Sequence, residues 1–403
     1  MLTYQEARRT VIEQVTKRKT VRSTENLSVW AALGYVLAEE VRTDREYPPF
    51  DRSTRDGYSV RASEAIAGAK LRYAGEIKAG DTVTKSLAQN TCVQIMTGAA
   101  VPEGADSVVM IEFTQRDGEF VQFDRVTKSG QNIVPRGREA KAAQIMLASG
   151  TRLGFAELAN AAQVGKITLR CAKKTSVAIL STGDEVVLAE ETPGPFQIRN
   201  SNSVSLAAQV KLAGGEPVVL GNAADRVDDL REKIALGLKE NILVLSGGVS
   251  MGKYDLVETV LRDMGAEFYF DAVAIRPGKP AVFGRCGETF VFGLPGNPVS
   301  TMVTFELFVT AAIDLLNGAE ARELPLLEAK LGAQMREKTG VTHFLPARIA
   351  WPGGEPQVRA LPWQGSGDIA ALAQANCFLV VPADREMLEA GETVKVLLRK
   401  DVA

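Results

Sequence analysis

Apolar positions change period several times along the chain, and the changes divide it into units. Thr3, followed three positions on by Glu6, gives a capping-box signal, and Ala7, Val11 and Val15 then fall on one face, which predicts a helix over about residues 4–18. A shorter helical signal at 28–33 stops at Gly34, and 35–41 reads as extended. Residues 44–143 differ in character. Pro48, Pro49, many glycines and a hairpin signal at Asp117-Gly118, between 108–113 and 120–123, predict a β-rich insertion. From 144 to 173 a mixed pattern resumes through Leu147, Leu153, Phe155, Leu158 and Val164, so the segment before the insertion is expected to pair with the one after it.

Residues 174–323 give the clearest signal. Apolar runs at 176–180, 217–220, 242–245 and 268–275 alternate with amphipathic helical stretches at about 202–213, 226–239 and 255–264, which predicts a largely parallel sheet covered by helices. A strand pair at 281–283 and 289–292 and a long helix over about 298–316 follow. From 324 onward short strands with Pro and Gly, closed by 394–398, predict a small β-barrel or sandwich. Ligands of open α/β sheets bind beyond the carboxyl ends of the strands, so chemistry is expected in the loops after Leu180, Leu220, Leu245 and Ile275.

Composition narrows the function. A length of 403 residues suits two to four domains, and 45% hydrophobic with 24% charged residues excludes wholesale disorder or a fibre. Forty-seven basic residues against 49 acidic ones leave a net charge of -2, so no general cationic field exists for a nucleic acid and any anion site must be local. His343, the only histidine, excludes a zinc site with several imidazole ligands and is expected to be an ordinary surface or strand residue. Cys92, Cys171, Cys286 and Cys377 are far apart with no Cys-x-x-Cys pair, which suits buried hydrophobes in a reducing compartment. The polar N-terminus lacks a signal-peptide core, and no uninterrupted apolar run approaches a membrane span, so a cytoplasmic protein without a membrane partner is expected.

The expected loops carry suitable chemistry. Thr182-Gly183-Asp184-Glu185 sets two carboxylates on a tight turn. Ser246-Gly247-Gly248-Val249-Ser250 leads toward a helix opened by Asp255, and such glycines let backbone N–H groups and a helix N-terminus approach a phosphate. The stretch reproduces Walker A spacing through Gly247, Gly252 and Lys253, but Tyr254 stands where a Mg²⁺-binding Ser or Thr belongs. Asp255 is either a helix cap or a Mg²⁺ ligand. Arg276 and Lys279, on a loop stiffened by Pro277 and Pro280, suit a doubly charged oxyanion. Gly293-Leu294-Pro295-Gly296-Asn297-Pro298 opens the long helix, with Asn297 expected as N-cap and Pro298 as first residue. Taken alone, the stretch around Asp56-Gly57-Tyr58, the loop Met96-Thr97-Gly98-Ala99, and Arg348 and Gly365-Ser366-Gly367-Asp368 are ambiguous.

Together, Pro48-Pro49-Phe50-Asp51 with Asp56-Gly57-Tyr58, Met96-Thr97-Gly98-Ala99, Thr182-Gly183-Asp184-Glu185, Ser246-Gly247-Gly248-Val249-Ser250, Pro277-Gly278-Lys279-Pro280 and Gly293 to Pro298 resemble the molybdopterin molybdenumtransferase family, which includes bacterial MoeA and the E domains of plant and animal molybdenum-cofactor proteins. The resemblance implies a multidomain fold, α/β plus β. Its units are a three-layer MogA-like α/β domain with a parallel-rich sheet (4–23 and 174–323), a small linking domain (24–43 and 144–173), the β-rich insertion (44–143) and a C-terminal β-barrel (324–403). It implies molybdenum cofactor biosynthesis, in which molybdate is inserted into adenylylated molybdopterin with Mg²⁺-dependent release of AMP. It further implies an elongated homodimer whose cleft joins the α/β domain of one subunit to the insertion of the other. A MogA-like adenylyltransferase would supply the substrate, and molybdoenzymes or cofactor-transfer proteins would receive the product.

In that reading Glu185 and Asp255 are Mg²⁺ ligands, and Asp225, Asp56 and Thr97 position the substrate. Ser246, Gly247, Gly248, Ser250, Pro295, Gly296, Asn297 and Pro298 bind it, while Arg276, Lys279, Ser300, Arg348 and Ser366 bracket molybdate. Two departures stand out: Arg276 occupies a usual lysine position, and Gly137-Arg138-Glu139-Ala140 replaces a Gly-Glu-Asp run. Two alternatives are a catalytically silent scaffold and a molybdopterin adenylyltransferase, although the latter lacks the insertion and the C-terminal β domain.

Overall fold

The computed structural model describes residues 1–18, 22–248 and 256–402. At its centre is a three-layer α/β unit. Helix α1 (Tyr4–Lys17) begins as its sequence demands: the Glu6 N–H donates to the Thr3 hydroxyl at 3.2 Å, and the Thr3 N–H donates to the Glu6 carboxylate at 2.8 Å. The unit continues with β1 (Ser176–Thr182), α2 (Ser201–Ala213), β2 (Glu216–Ala223), α3 (Val227–Gly237), β3 (Ile242–Ser246), α4 (Leu256–Asp263), β4 (Ala266–Phe270), β5 (Val282–Cys286), β6 (Thr289–Leu294) and α5 (Pro298–Leu316). The sheet order is β2-β1-β3-β6-β5-β4; the first four strands are parallel, and β5 runs against both its neighbours. Every residue of β3 and β6 is buried. Helices cover both faces there, so these strands read as unbroken apolar runs instead of alternating ones.

Val11, Val210 and Phe308, from α1, α2 and α5, pack on one face of the sheet, and Leu230 and Val260, from α3 and α4, on the other. By length and mean hydropathy α5 could cross a membrane, although Glu306 and Asp314 interrupt its apolar run. The helix is nevertheless core, with 83% of its most apolar stretch buried inside the protein. Its middle, Phe305–Val309, is a π-helical turn. The buried Arg8 guanidinium donates to the Leu307 carbonyl at 2.7 Å and also to the Arg322 carbonyl, drawing a helix carbonyl away from its own ladder.

The segments flanking the insertion close on each other as the pattern predicts: Thr24–Ser28 pairs antiparallel with Thr168–Ala172, and Val41–Arg42 with Ile145–Leu147. The helix expected at 28–33 is absent. Residues up to Ser28 are strand and the next ones turn; Val29 and Ala32 pack into the core of the linking segments from that turn, while Trp30 is 93% exposed. The insertion holds a six-stranded sheet that includes the hairpin of Thr114–Asp117 and Phe120–Phe123. The expected strand at 268–275 is two pieces. β4 ends at Phe270, the Val273 N–H donates to the Lys279 carbonyl at 2.9 Å, and Ile275–Arg276 leaves the sheet to pair with Thr342 and His343.

Of the barrel and sandwich alternatives for the C-terminal region, the barrel forms. Thr342–Ala350 pairs with both Gln357–Ala360 and Cys377–Val381, while Leu326–Leu331 and Thr393–Leu398 complete a closed five-strand ring. His343 is buried in this wall, its Nδ1 3.2 Å from Glu337 and its Nε2 2.8 Å from the Lys338 carbonyl. All four cysteines are buried free thiols; burial pushes Cys92 and Cys377 up to about 12 and Cys171 to about 11, so they act as packing groups.

Candidate functional site

The carboxyl ends of β1, β3 and β6 and the first residues of α2 and α5 enclose a cavity of about 650 Å³. Adjacent parallel strands bring the two glycine loops together: the Gly247 N–H donates to the Leu294 carbonyl at 3.1 Å, and a Cβ on Gly296 would lie 3.5 Å from the Gly247 Cα. Gly248 has φ +63, and a Cβ there would come within 2.6 Å of both Thr182 Oγ1 and Val257 Cγ2. Backbone thus approaches where side chains cannot.

Asn202, on the first turn of α2, fixes the two loops in one frame by donating to the Ser246 hydroxyl and to the Gly296 carbonyl, each at 2.7 Å. Asn202 Oδ1 and Thr182 Oγ1 are buried without a hydrogen-bond partner among the described residues. The acidic turn is held similarly, since Asn222 donates to the Gly183 and Val186 carbonyls at 2.8 and 3.1 Å. The Asp225 N–H donates to Asp184 Oδ1 at 3.1 Å. Partial burial, then the charges of Asp184 and Glu185, push the Asp225 carboxyl above the usual carboxylate range.

Crowded, partly exposed carboxylates suit a hard divalent cation such as Mg²⁺, which keeps water and phosphate oxygens among its ligands. Among the described residues no group of three His, Cys, Asp or Glu side chains could by itself hold a metal ion.

Of the expected site residues, Glu185, Asp225, Ser246, Gly247, Gly248, Pro295, Gly296, Asn297 and Pro298 line the cavity. Ser250 and Asp255 lie outside the described residues. Asn297 stands at the N-cap of α5 but makes no capping side-chain bond; its amide donates instead to the Ser366 hydroxyl at 2.9 Å, and the Ser366 carbonyl accepts the Val299 N–H at 3.0 Å. The barrel loop thus caps α5 and adds Gly367 and Ile369 to the cavity wall. Arg276, Lys279, Ser300 and Arg348 do not line it. Arg276 and Lys279 are exposed on the loop whose Pro280 reaches the edge, Ser300 is buried in α5, and Arg348 faces Arg359 on the barrel wall. Asp56 and Thr97 meet within the insertion, where the Thr97 N–H donates to the Asp56 carboxylate at 2.7 Å and holds it below the usual range. They are not at the cavity. Of the Gly137-Arg138-Glu139 departure, Glu139 pairs with Arg52 at 2.9 Å.

Sequence reasoning missed Asn202, Asn222 and Arg199, the last being the one cation among the described residues that line the cavity. The only local signal was a cluster of asparagines at the start of α2; the bonds that reveal their role span 36 to 94 positions of chain.

Fold and site define a multidomain α/β protein whose cavity lies at the carboxyl ends of the parallel strands. Residues 2–165 match the MoeA N-terminal region (domain I and II), 178–315 a probable molybdopterin binding domain, and 328–398 the MoeA C-terminal region (domain IV). The chain is 33% identical to the molybdopterin molybdenumtransferase of Bacillus subtilis (strain 168), covering 94% of this chain and 90% of that one. For the Haemophilus influenzae enzyme of the same name the identity is 32%, with 98% of each covered. A crystal structure of the molybdopterin biosynthesis MoeA protein from Pyrococcus horikoshii OT3 superposes with a TM-score of 0.79 at 28% identity, covering 99% of this chain and 100% of that one. The chain belongs to the molybdopterin molybdenumtransferase family and is an enzyme of molybdenum cofactor biosynthesis.

Proposed function

We propose that the strand-end cavity binds adenylylated molybdopterin beside molybdate, and that the enzyme releases AMP as molybdenum enters the dithiolene. The observation that carries this reading is the convergence of the Gly247-Gly248 and Gly296 loops, locked together by Asn202, at the start of α5. Backbone donors and a helix N-terminus suit a phosphoanhydride. Glu185 and Asp255 are the residues that would hold Mg²⁺, with Asp255 outside the described residues. When bound, the ion would neutralise charge on the anhydride oxygens.

Arg276 and Lys279 would supply the charge that holds a tetrahedral dianion, with Ser300, Arg348 and Ser366 as its other neighbours; the bond between Ser366 and Asn297 at the cavity edge supports this part. Glycines and Asn202 orient the nucleotide, Asp225 positions the pterin-bearing substrate, and the covering barrel loop limits water. Asp56 and Thr97 would come from the insertion of a partner subunit in a homodimer, since neither lines the cavity of its own chain. The reading places the enzyme in the cytoplasm, between a molybdopterin adenylyltransferase and the molybdoenzymes or carriers that take the product.

The test is AMP release from adenylylated molybdopterin by the purified chain. Release should require both molybdate and Mg²⁺. No release with all components present, under conditions in which the Bacillus subtilis relative turns over, would overturn the reading.

A further inference from the structure

A second cavity, of about 200 Å³, lies between α2, α5 and the last barrel strand, and none of its lining residues takes part in the proposed reaction. Ala208, Leu212, Met302, Leu372 and Phe378 make its walls mostly apolar. Charged groups enter it from two sides: Arg399, Lys400 and Asp401 at the end of the last barrel strand, where Arg399 pairs with Asp401, and Glu306 from α5. Glu306 sits in the π-helical turn of α5 that Arg8 holds through the Leu307 carbonyl, so the local backbone departs from regular helix where this acid faces the cavity. Gln209 donates to Glu306 Oε1 at 2.9 Å and to the Met302 carbonyl at 3.1 Å.

Among the described residues no basic side chain comes within ion-pair distance of Glu306. Lys400, Asp401 and Arg322 act on it only from further off, and burial is the largest influence, pushing its carboxyl above the usual range. Lys400 lines the same cavity, and burial pushes its ammonium below the usual lysine range. For packing alone a glutamine at 306 would accept the same bond from Gln209 without the desolvation cost of an acid. A carboxyl in an apolar cavity without a contacting cation is suited to a cation that arrives from outside.

We propose that this cavity is a binding site for a small organic ammonium ion with an apolar body, a single ring or branched chain bearing a short amine arm. The size fits, since an apolar cavity of about 150 Å³ takes up benzene. The amine would donate to Glu306, the body would pack on Met302, Leu372 and Phe378, and Lys400 would be the internal competitor, displaced toward Asp401 as the ligand enters.

Benzylamine, titrated calorimetrically into the full chain without substrate, tests this apart from the catalytic reading. Saturable one-to-one binding is expected, with the isosteric benzyl alcohol at least about 10-fold weaker, in line with a hydrogen bond to a charged group. Glu306→Gln should weaken benzylamine by about 10-fold or more, and Lys400→Met should tighten it. Ala208→Phe, on an exposed stretch of α2 that lines the cavity, should abolish binding without loss of fold and serves if Glu306→Gln does not fold. Absence of saturable binding, equal affinity for the alcohol, or unchanged affinity in folded Glu306→Gln or Ala208→Phe would overturn the assignment.

Discussion

Gly248 and Asp225 show how single residues set the cavity. Gly248→Ala forces a left-handed φ on a residue with a Cβ and drives that atom against Thr182 and Val257. It should cost about 1–3 kcal/mol of stability and weaken adenylylated substrate by about 10-fold or more, as read from denaturation and equilibrium binding. Asp225 carries a raised carboxyl pKa in the folded state, so the folded protein holds that proton more tightly than the unfolded chain does. Its contribution to stability is fully present below the ordinary aspartate pKa and is lost as pH rises through the raised value. Asp225→Asn, which does not titrate, should therefore melt higher than wild type at pH 7.5, and the difference should shrink toward pH 4. A difference that grows on acidification would refute that ordering. Glycines and carboxylates at strand ends were legible because their chemistry is local. Asn202 was not, because its value lies in joining Ser246 and Gly296, residues 44 and 94 positions away.

At the scale of elements, α5 does most to connect the molecule. Its first turn borders the cavity and is capped by the Ser366 carbonyl, its middle is held by Arg8, and its last turn carries Asp314. Asp314 is fully buried and pairs with Arg152 of the linking segment at 2.6 Å and with Arg322 at 2.7 Å. Removing the shared carboxylate leaves two part-buried guanidinium groups without their partner, and Asp314→Ala should cost about 3 kcal/mol, measured as a fall in denaturation midpoint. Helix periods and the parallel runs of the sheet were legible because burial imposes them on the sequence. Two elements were not. An apolar run cannot reveal that 268–275 bends out of its sheet to reach the barrel, and the helical spacing at 28–33 does not show that Ser28 ends a strand paired with 168–172 and that Val29 and Ala32 are buried from the turn that follows.

The whole molecule assembles its cavity from parts far apart in sequence: the floor from the parallel strands, one edge from the barrel loop at Gly367 and Ile369, and a charged turn at Glu185 and Asp225. Order and motif identity made this architecture legible through resemblance, whereas which cations reach the cavity was not, since Arg199 lines it and Arg276, Lys279 and Arg348 do not. The acidic turn is where the proposal is most exposed to a direct check. Single-turnover AMP release should be measured, at saturating molybdate and Mg²⁺, for wild type and for the double variant Glu185→Gln with Asp225→Asn. The account predicts a loss of about 100-fold or more in a variant that keeps its wild-type circular dichroism. Release at the wild-type rate by that folded variant would contradict it.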